Sequence, residues 1–158
     1  MSIHGGIEEF LEGSGVPYQV HFHEEMPFPI RSPDDFARAL GYDLARITKT
    51  MLLRATDRQE FCLVVLSSEG SMDLEKVAGL MSAKRVQMAS REELARTLGY
   101  PATGVSPIRA GSLPVFLDQG IMDFSTVLIG GGEVGVEIEI SPRALQHMTS
   151  GEVVFIAV

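Results

Sequence analysis

Lys49 stands in the run Ala45-Arg46-Ile47-Thr48-Lys49-Thr50-Met51-Leu52-Leu53-Arg54, where a strand-like pattern otherwise asks for an apolar residue. Strand alternation puts Ile47, Lys49, Met51 and Leu53 on one face and Thr48, Thr50 and Leu52 on the other. An ammonium among apolar neighbours either reaches water along its flexible stem or meets an anionic or polar group in a cleft. The first case is a snorkelling lysine, the second a lysine that positions a substrate, and the run alone leaves both open. Further along the chain, Gly130-Gly131-Gly132 reads as a hairpin turn or as bare backbone that can approach a ligand closely.

Histidine and cysteine carry less. In Tyr18-Gln19-Val20-His21-Phe22-His23 the apolar residues Tyr18, Val20 and Phe22 share one face, which leaves Gln19, His21 and His23 on the other. Two histidines at this spacing beside Glu24 and Glu25 suggest a metal site, but no third ligand is fixed, so no metal is expected. A solvated or cleft-lining histidine face is the expectation, with His23 a candidate for the cleft and for general-base chemistry. Cys62 is the one cysteine, lies within Phe61-Cys62-Leu63-Val64-Val65-Leu66, and reads as a buried structural residue.

The elements that must position these groups follow from punctuation and period. Ile3, Ile7, Phe10 and Leu11 have helical spacing before Gly13 and Gly15. Met26 to Arg31, with prolines around Phe28, reads as an extended loop, and Met26, Phe28, Ile30 and Met51 are candidates for an apolar pocket wall. Ser32-Pro33-Asp34-Asp35 opens a second helix that stops at Gly41. The Lys49 run and Glu60 to Leu66, joined by Thr56-Asp57-Arg58-Gln59, read as a central hairpin whose second strand is buried on both faces. Asp73 to Met81 is a helix, Arg85 to Ala89 a short strand, and Ser90 with Glu93 a capping box for a helix ended by Gly99. Pro114 to Leu117, Thr126 to Ile129, Val136 to Ile140 and Val153 to Ile156 read as strands, with a helix opened by Ser141-Pro142 before the last. The fold class expected is mixed α/β: one domain over residues 1–158, with a curved, largely antiparallel sheet and surrounding helices. Strand and helix do not alternate strictly and no glycine fingerprint opens a helix after a first strand, which argues against a dinucleotide-binding fold.

Composition narrows the classes. With 158 residues, 45% of them apolar and 22% charged, the chain suits a globular domain. No apolar run approaches the roughly 18 to 20 residues that span a bilayer, and the first residues lack a secretory pattern, so a cytoplasmic protein with no membrane partner is expected. A net charge of -8 argues against charge-driven tracking along nucleic acid, and no basic recognition helix points to DNA. It leaves contact with one end of an RNA open.

Taken together, Ile47-Thr48-Lys49-Thr50-Met51-Leu52, the loop Gly99-Tyr100-Pro101-Ala102-Thr103-Gly104-Val105-Ser106-Pro107 and the run Gly130 to Pro142 resemble the YbaK-like aminoacyl-tRNA deacylases, relatives of the editing domain of bacterial prolyl-tRNA synthetases. The likeness covers nearly the whole chain. It implies hydrolysis of the ester joining a wrong amino acid to a tRNA, commonly tRNA(Pro), with the acceptor end as partner, prolyl-tRNA synthetase as a possible second partner, and no cofactor. By position, Lys49 matches the family's essential lysine, Gly104 and Ser106 its Gly-x-x-Ser-Pro-like loop, and Gly130, Gly131 and Gly132 the small-residue loop beside the aminoacyl pocket. His23 and Met51 join them as candidate pocket residues. The family often carries serine or asparagine where this chain has Gly130, so alanine and cysteine both stand as substrates. An aminoacyl ester is an activated bond, so placed water and a stabilised oxyanion suffice without a covalent nucleophile. No Gly-x-Ser-x-Gly elbow is present. The competing reading is a binding module that holds an amino acid or an aminoacyl-adenylate-like ligand without turnover.

Overall fold

The computed structural model describes residues 2–158. Its elements run α1 (Gly5–Ser14), β1 (Tyr18–Phe22), α2 (Pro33–Leu40), β2 (Thr48–Ala55), β3 (Phe61–Ser67), α3 (Leu74–Leu80), β4 (Val86–Met88), α4 (Arg91–Thr97), β5 (Val115–Asp118), β6 (Val127–Gly130), β7 (Val136–Ile140), α5 (Pro142–Thr149) and β8 (Glu152–Val154), with three short 3-10 turns between them. The architecture is the expected mixed α/β one, but the strands form two sheets. One has the order β1-β7-β6, the other β4-β2-β3-β5-β8. Hairpin pairings β2–β3 and β6–β7 are antiparallel, as are β1–β7 and β2–β4, whereas β3–β5 and β5–β8 are parallel. The sheets meet at a single parallel bridge between Ile47 and Leu128, reinforced where the Thr48 hydroxyl donates to the Leu128 carbonyl at 2.7 Å.

Alternation decides which core each residue joins. Leu52, Leu63 and Val65 face Val127, Ile129, Ile138 and Ile140 across the space between the sheets, together with Ile7 and Leu11 of α1, Leu94 of α4 and Leu145 of α5. On the opposite face of the larger sheet, Leu53, Cys62, Val64, Leu66 and Phe116 pack under Val77 and Ala78 of α3. A strand that feeds both cores has no polar face, which is why β3 reads as one apolar run. The outer face of the smaller sheet is covered by α2, whose Phe36 and Ala37 pack on Ile47 and Leu128.

The helix signals work locally as their chemistry requires. The Ser32 hydroxyl accepts from the Asp35 amide, Pro33 takes the first helical position, and Gly41 ends α2 at φ 71°. Ser90 and Glu93 satisfy each other's backbone amides in a full capping box. Two helical stripes are narrower than their spacing suggests: Phe10 of α1 is 40% exposed, and in α3 Val77 and Ala78 face the core while Leu74 and Leu80 are exposed.

Candidate active site

At the seam of the two sheets lies an open cleft of about 450 Å³. Its walls come from the start of β2 (Ile47 to Thr50), the end of β1 at His23, the segment entering α2 (Ile30 to Pro33), the loop carrying Ala102, Thr103 and Val105, and the β6–β7 hairpin at Gly130 and Val134 to Glu137. Clefts of roughly 300 to 1,000 Å³ accommodate drug-sized ligands, so this one is large enough to hold a small molecule.

Lys49 is partly buried and lines the cleft. Its ammonium donates to the Gly70 carbonyl at 2.6 Å, in the turn that follows β3. That turn is itself tied back to the strand, because the Ser68 amide donates to the Ile47 carbonyl at 2.7 Å. One of three N–H donors is thereby used to fix the lysine, and two remain. Next to it, the Thr50 hydroxyl is sealed from bulk solvent without a protein partner. Thr50 also lines the cleft, and a buried hydroxyl left unmatched costs about 1 to 3 kcal/mol, which a bound ligand or water would relieve.

The glycine-rich loops meet each other. The Gly132 amide donates to the Gly104 carbonyl at 2.8 Å, and the Gly131 amide closes the hairpin on the Val136 carbonyl at 2.9 Å. A Cβ on Gly104 would stand 2.8 Å from the Glu133 carbonyl carbon, and one on Gly132, at φ +83°, would strike His4. Glycine is required at 104 for loop against loop, and at 132 for the positive φ and the close approach of the chain entering α1. Gly130 is different: it lines the cleft, and a Cβ on it would lie 2.1 Å from the Val105 carbonyl oxygen. Its place in the wall is therefore bare backbone.

The expected site residues thus divide. Lys49, His23 and Gly130 come together on the cleft. Met51 does not: two residues further along β2, it packs against the core beneath α3. Gly104, Gly131 and Gly132 stand behind the lining as the packing that holds the two loops, and Ser106 is fully buried with its hydroxyl accepting from the Ile108 amide at 3.2 Å. Of the expected apolar wall only Ile30 contributes; Met26 packs under α2, and Phe28 receives the Arg38 guanidinium 5.0 Å above its ring.

The histidine face divides: His21 is sealed into the fold, while His23 lines the cleft as expected. The adjoining strand β7 presents Glu139 to His21 of β1 and Glu137 to His23, which directly follows β1. His21 is 8% exposed, with Nε2 2.8 Å from Glu139. The same carboxylate accepts from Tyr42 at 3.0 Å, from Arg46 at 3.2 Å and from Thr126 at 2.5 Å, and Arg46 lies 3.8 Å over the Tyr42 ring. Burial alone would raise the Glu139 carboxyl, but the hydrogen bonds from Thr126, His21 and Tyr42 prevail and hold it below the usual carboxylate range. His23 pairs with Glu137 at 2.5 Å, on the cleft. Glu137, Thr50 and Arg31 line the cleft without having stood out in the sequence. For Glu137 the signal was present: Glu137 and Glu139 alternate as His21 and His23 do, and pairing the two strands matches acid to imidazole.

Residues 28–148 match the family described as the aminoacyl-tRNA editing domain. The chain belongs to this family. Membership makes it an aminoacyl-tRNA deacylase, a hydrolase of the ester between an amino acid and its tRNA. It is 30% identical over 122 residues to the Enterococcus faecalis protein named "Putative Cys-tRNA(Pro)/Cys-tRNA(Cys) deacylase EbsC", covering 77% of this chain and 74% of that one. It is 31% identical over 104 residues to a proline–tRNA ligase of Sulfurihydrogenibium, covering 66% of this chain but only 18% of the ligase, so the match is to one part of a much longer protein. The fold is shared with a crystal structure described as a "putative trans-editing enzyme for prolyl tRNA synthetase", at TM-score 0.84 and 22% identity over 99% of each chain. Among the described residues no helix is long and apolar enough to cross a membrane.

Proposed function

We propose that this deacylase edits in trans, removing a small wrong amino acid, alanine or cysteine, from tRNA(Pro), and that the cleft at the sheet seam is where it does so. The observation that carries the reading is Lys49, a partly buried cation held by the Gly70 carbonyl on the wall of a cleft that also contains the bare backbone of Gly130. The lysine's remaining donors would meet the terminal phosphate or the ester carbonyl, where negative charge develops as water adds. The backbone around Gly130 and the Ala102 to Val105 loop would hold the amino acid side chain.

The acceptor end enters a protein of net charge -8, which leaves little surface for phosphate tracking along the tRNA body. A synthetase that presents the tRNA would supply that contact, and the cytoplasm is where such a partner works. Size alone gives about 1 to 3 kcal/mol per methylene, so discrimination would rest on shutting the larger correct residue out. The test is hydrolysis of tRNA(Pro) charged in turn with proline, alanine, cysteine and serine. Loss of one small mischarged species with prolyl-tRNA spared is the expected result. No turnover of any of them would refute the substrate assignment, and tight binding without turnover would favour a binding module.

A further inference from the structure

Ester hydrolysis by water needs a group that accepts a proton, and the Lys49 ammonium has no lone pair to do so. The cleft's other ionisable side chains are Arg31, His23 and Glu137. We propose that His23 is the catalytic base of this deacylase and that Glu137 is its positioning residue. The proposal rests on the reading of the cleft as the deacylation site.

Three features support the pair. Glu137 Oε2 lies 2.5 Å from His23 Nε2, so the carboxylate takes the Nε2–H and leaves Nδ1 with the lone pair. The residue is held at two further points: its backbone amide donates to the Gly135 carbonyl at 2.9 Å, and Phe36 lies tilted against the imidazole with centroids 4.9 Å apart. Third, the neighbouring His21–Glu139 pair on the same strands serves as an internal comparison. There the side chains are 9% and 10% exposed and the carboxylate is saturated by Tyr42, Arg46 and Thr126, whereas the His23 and Glu137 side chains are 28% and 16% exposed and open on the cleft. One pair is sealed into the fold; the other is available for chemistry.

In the step, His23 removes a proton from water as its oxygen adds to the ester carbonyl. The tetrahedral intermediate collapses by breaking the bond to the ribose oxygen, which takes the proton back from the imidazolium and leaves as the terminal hydroxyl. The products are the free amino acid and uncharged tRNA. The charged groups around the imidazole are Glu137 from β7, Lys49 from β2 and Arg31 from the segment entering α2, while the loop with Ala102, Thr103 and Val105 brings none and Glu24 and Glu25 follow on its own turn.

Single-turnover deacylation measured across pH, on the mischarged tRNA that wild type hydrolyses, tests this. Wild-type rates should fall as pH drops and the imidazole takes up a proton. His23→Gln should lose on the order of 100-fold at neutral pH with little change in KM. That acid limb should vanish in the variant, while any limb from the substrate's own α-amino group persists. Glu137→Gln should lose roughly tenfold and displace the limb, and added imidazole should restore part of the rate of His23→Gly. A folded His23→Gln or Glu137→Gln with the wild-type rate and pH profile, or one altered only in KM, would overturn the proposal while leaving the cleft intact as the site. A wild-type protein that is active and indifferent to Lys49→Ala would remove the cleft reading and this inference with it.

Discussion

Replacing Glu139 by alanine should cost about 3 kcal/mol of stability without silencing the enzyme. The carboxylate accepts from Thr126 at 2.5 Å, His21 at 2.8 Å, Tyr42 at 3.0 Å and Arg46 at 3.2 Å, and it is 8% exposed. Removing one partner of a buried ion pair costs about 3 to 5 kcal/mol, because the other charge is left uncompensated. The low end applies here, since the Arg46 side chain is 19% exposed and keeps the Thr126 carbonyl at 3.0 Å and the Tyr42 ring. For a domain of this size about 3 kcal/mol lowers Tm by roughly 6 to 12 °C. A pH signature accompanies the loss. The folded-state carboxyl is held below its ordinary range, so its contribution is fully present above the unfolded value of about 4.3 and disappears as pH falls through the folded value. Chemical denaturation of wild type and Glu139→Ala, run from neutral pH into acid, reads both effects, and the gap between the two proteins should narrow on the acid side. Deacylation well below Tm should stay within a few-fold of wild type, because the network lies behind the cleft. A variant within 1 kcal/mol of wild type at neutral pH, or a gap that does not close in acid, would refute the reasoning.

Gly130→Ala should push the Val105 segment back by about 1 Å, cost about 1 to 3 kcal/mol and reduce turnover, since a Cβ there would sit 2.1 Å from a carbonyl oxygen in the cleft wall; wild-type melting and rates would show that the wall yields without strain. Cys62 is fully buried and burial pushes its thiol up to about 12, so it should resist alkylation in the native protein and react only on unfolding. Ser32→Ala removes the cap of α2 and should cost about 1 kcal/mol, with a rise in KM because the segment entering that helix forms one side of the cleft; unchanged melting would contradict the first half and unchanged KM the second.

Local chemistry made much of the fold legible. Ser32-Pro33, Ser90 with Glu93 and Ser141-Pro142 each open a helix where those residues predict one, and the β2–β3 hairpin follows from two strand patterns around a turn. Pairings between distant segments were not legible, because alternation gives a strand its faces but not its neighbour. The partnership of β1 with β7 is of this kind, and with it went the fate of His21 and His23. The hairpin reading of Gly130 to Gly132 was sound, yet the need for glycine at 104 comes from contact with Glu133 of the other loop, and at 132 from a positive φ and the approach of His4 and Ile7, which no spacing within either loop could reveal. Lys49 was distinctive by its apolar company, while its hold on Gly70 depended on how the turn after β3 folds back.

The central claim is that deacylation depends on the Lys49 charge in the seam cleft. It is tested most directly by single-turnover hydrolysis of mischarged tRNA(Pro) with wild type, Lys49→Ala and Lys49→Met, each checked for its melting temperature. Both substitutions should abolish deacylation, and Lys49→Met, which keeps most of the stem's bulk, should melt close to wild type. A folded Lys49→Met that hydrolyses the ester at the wild-type rate would contradict the account.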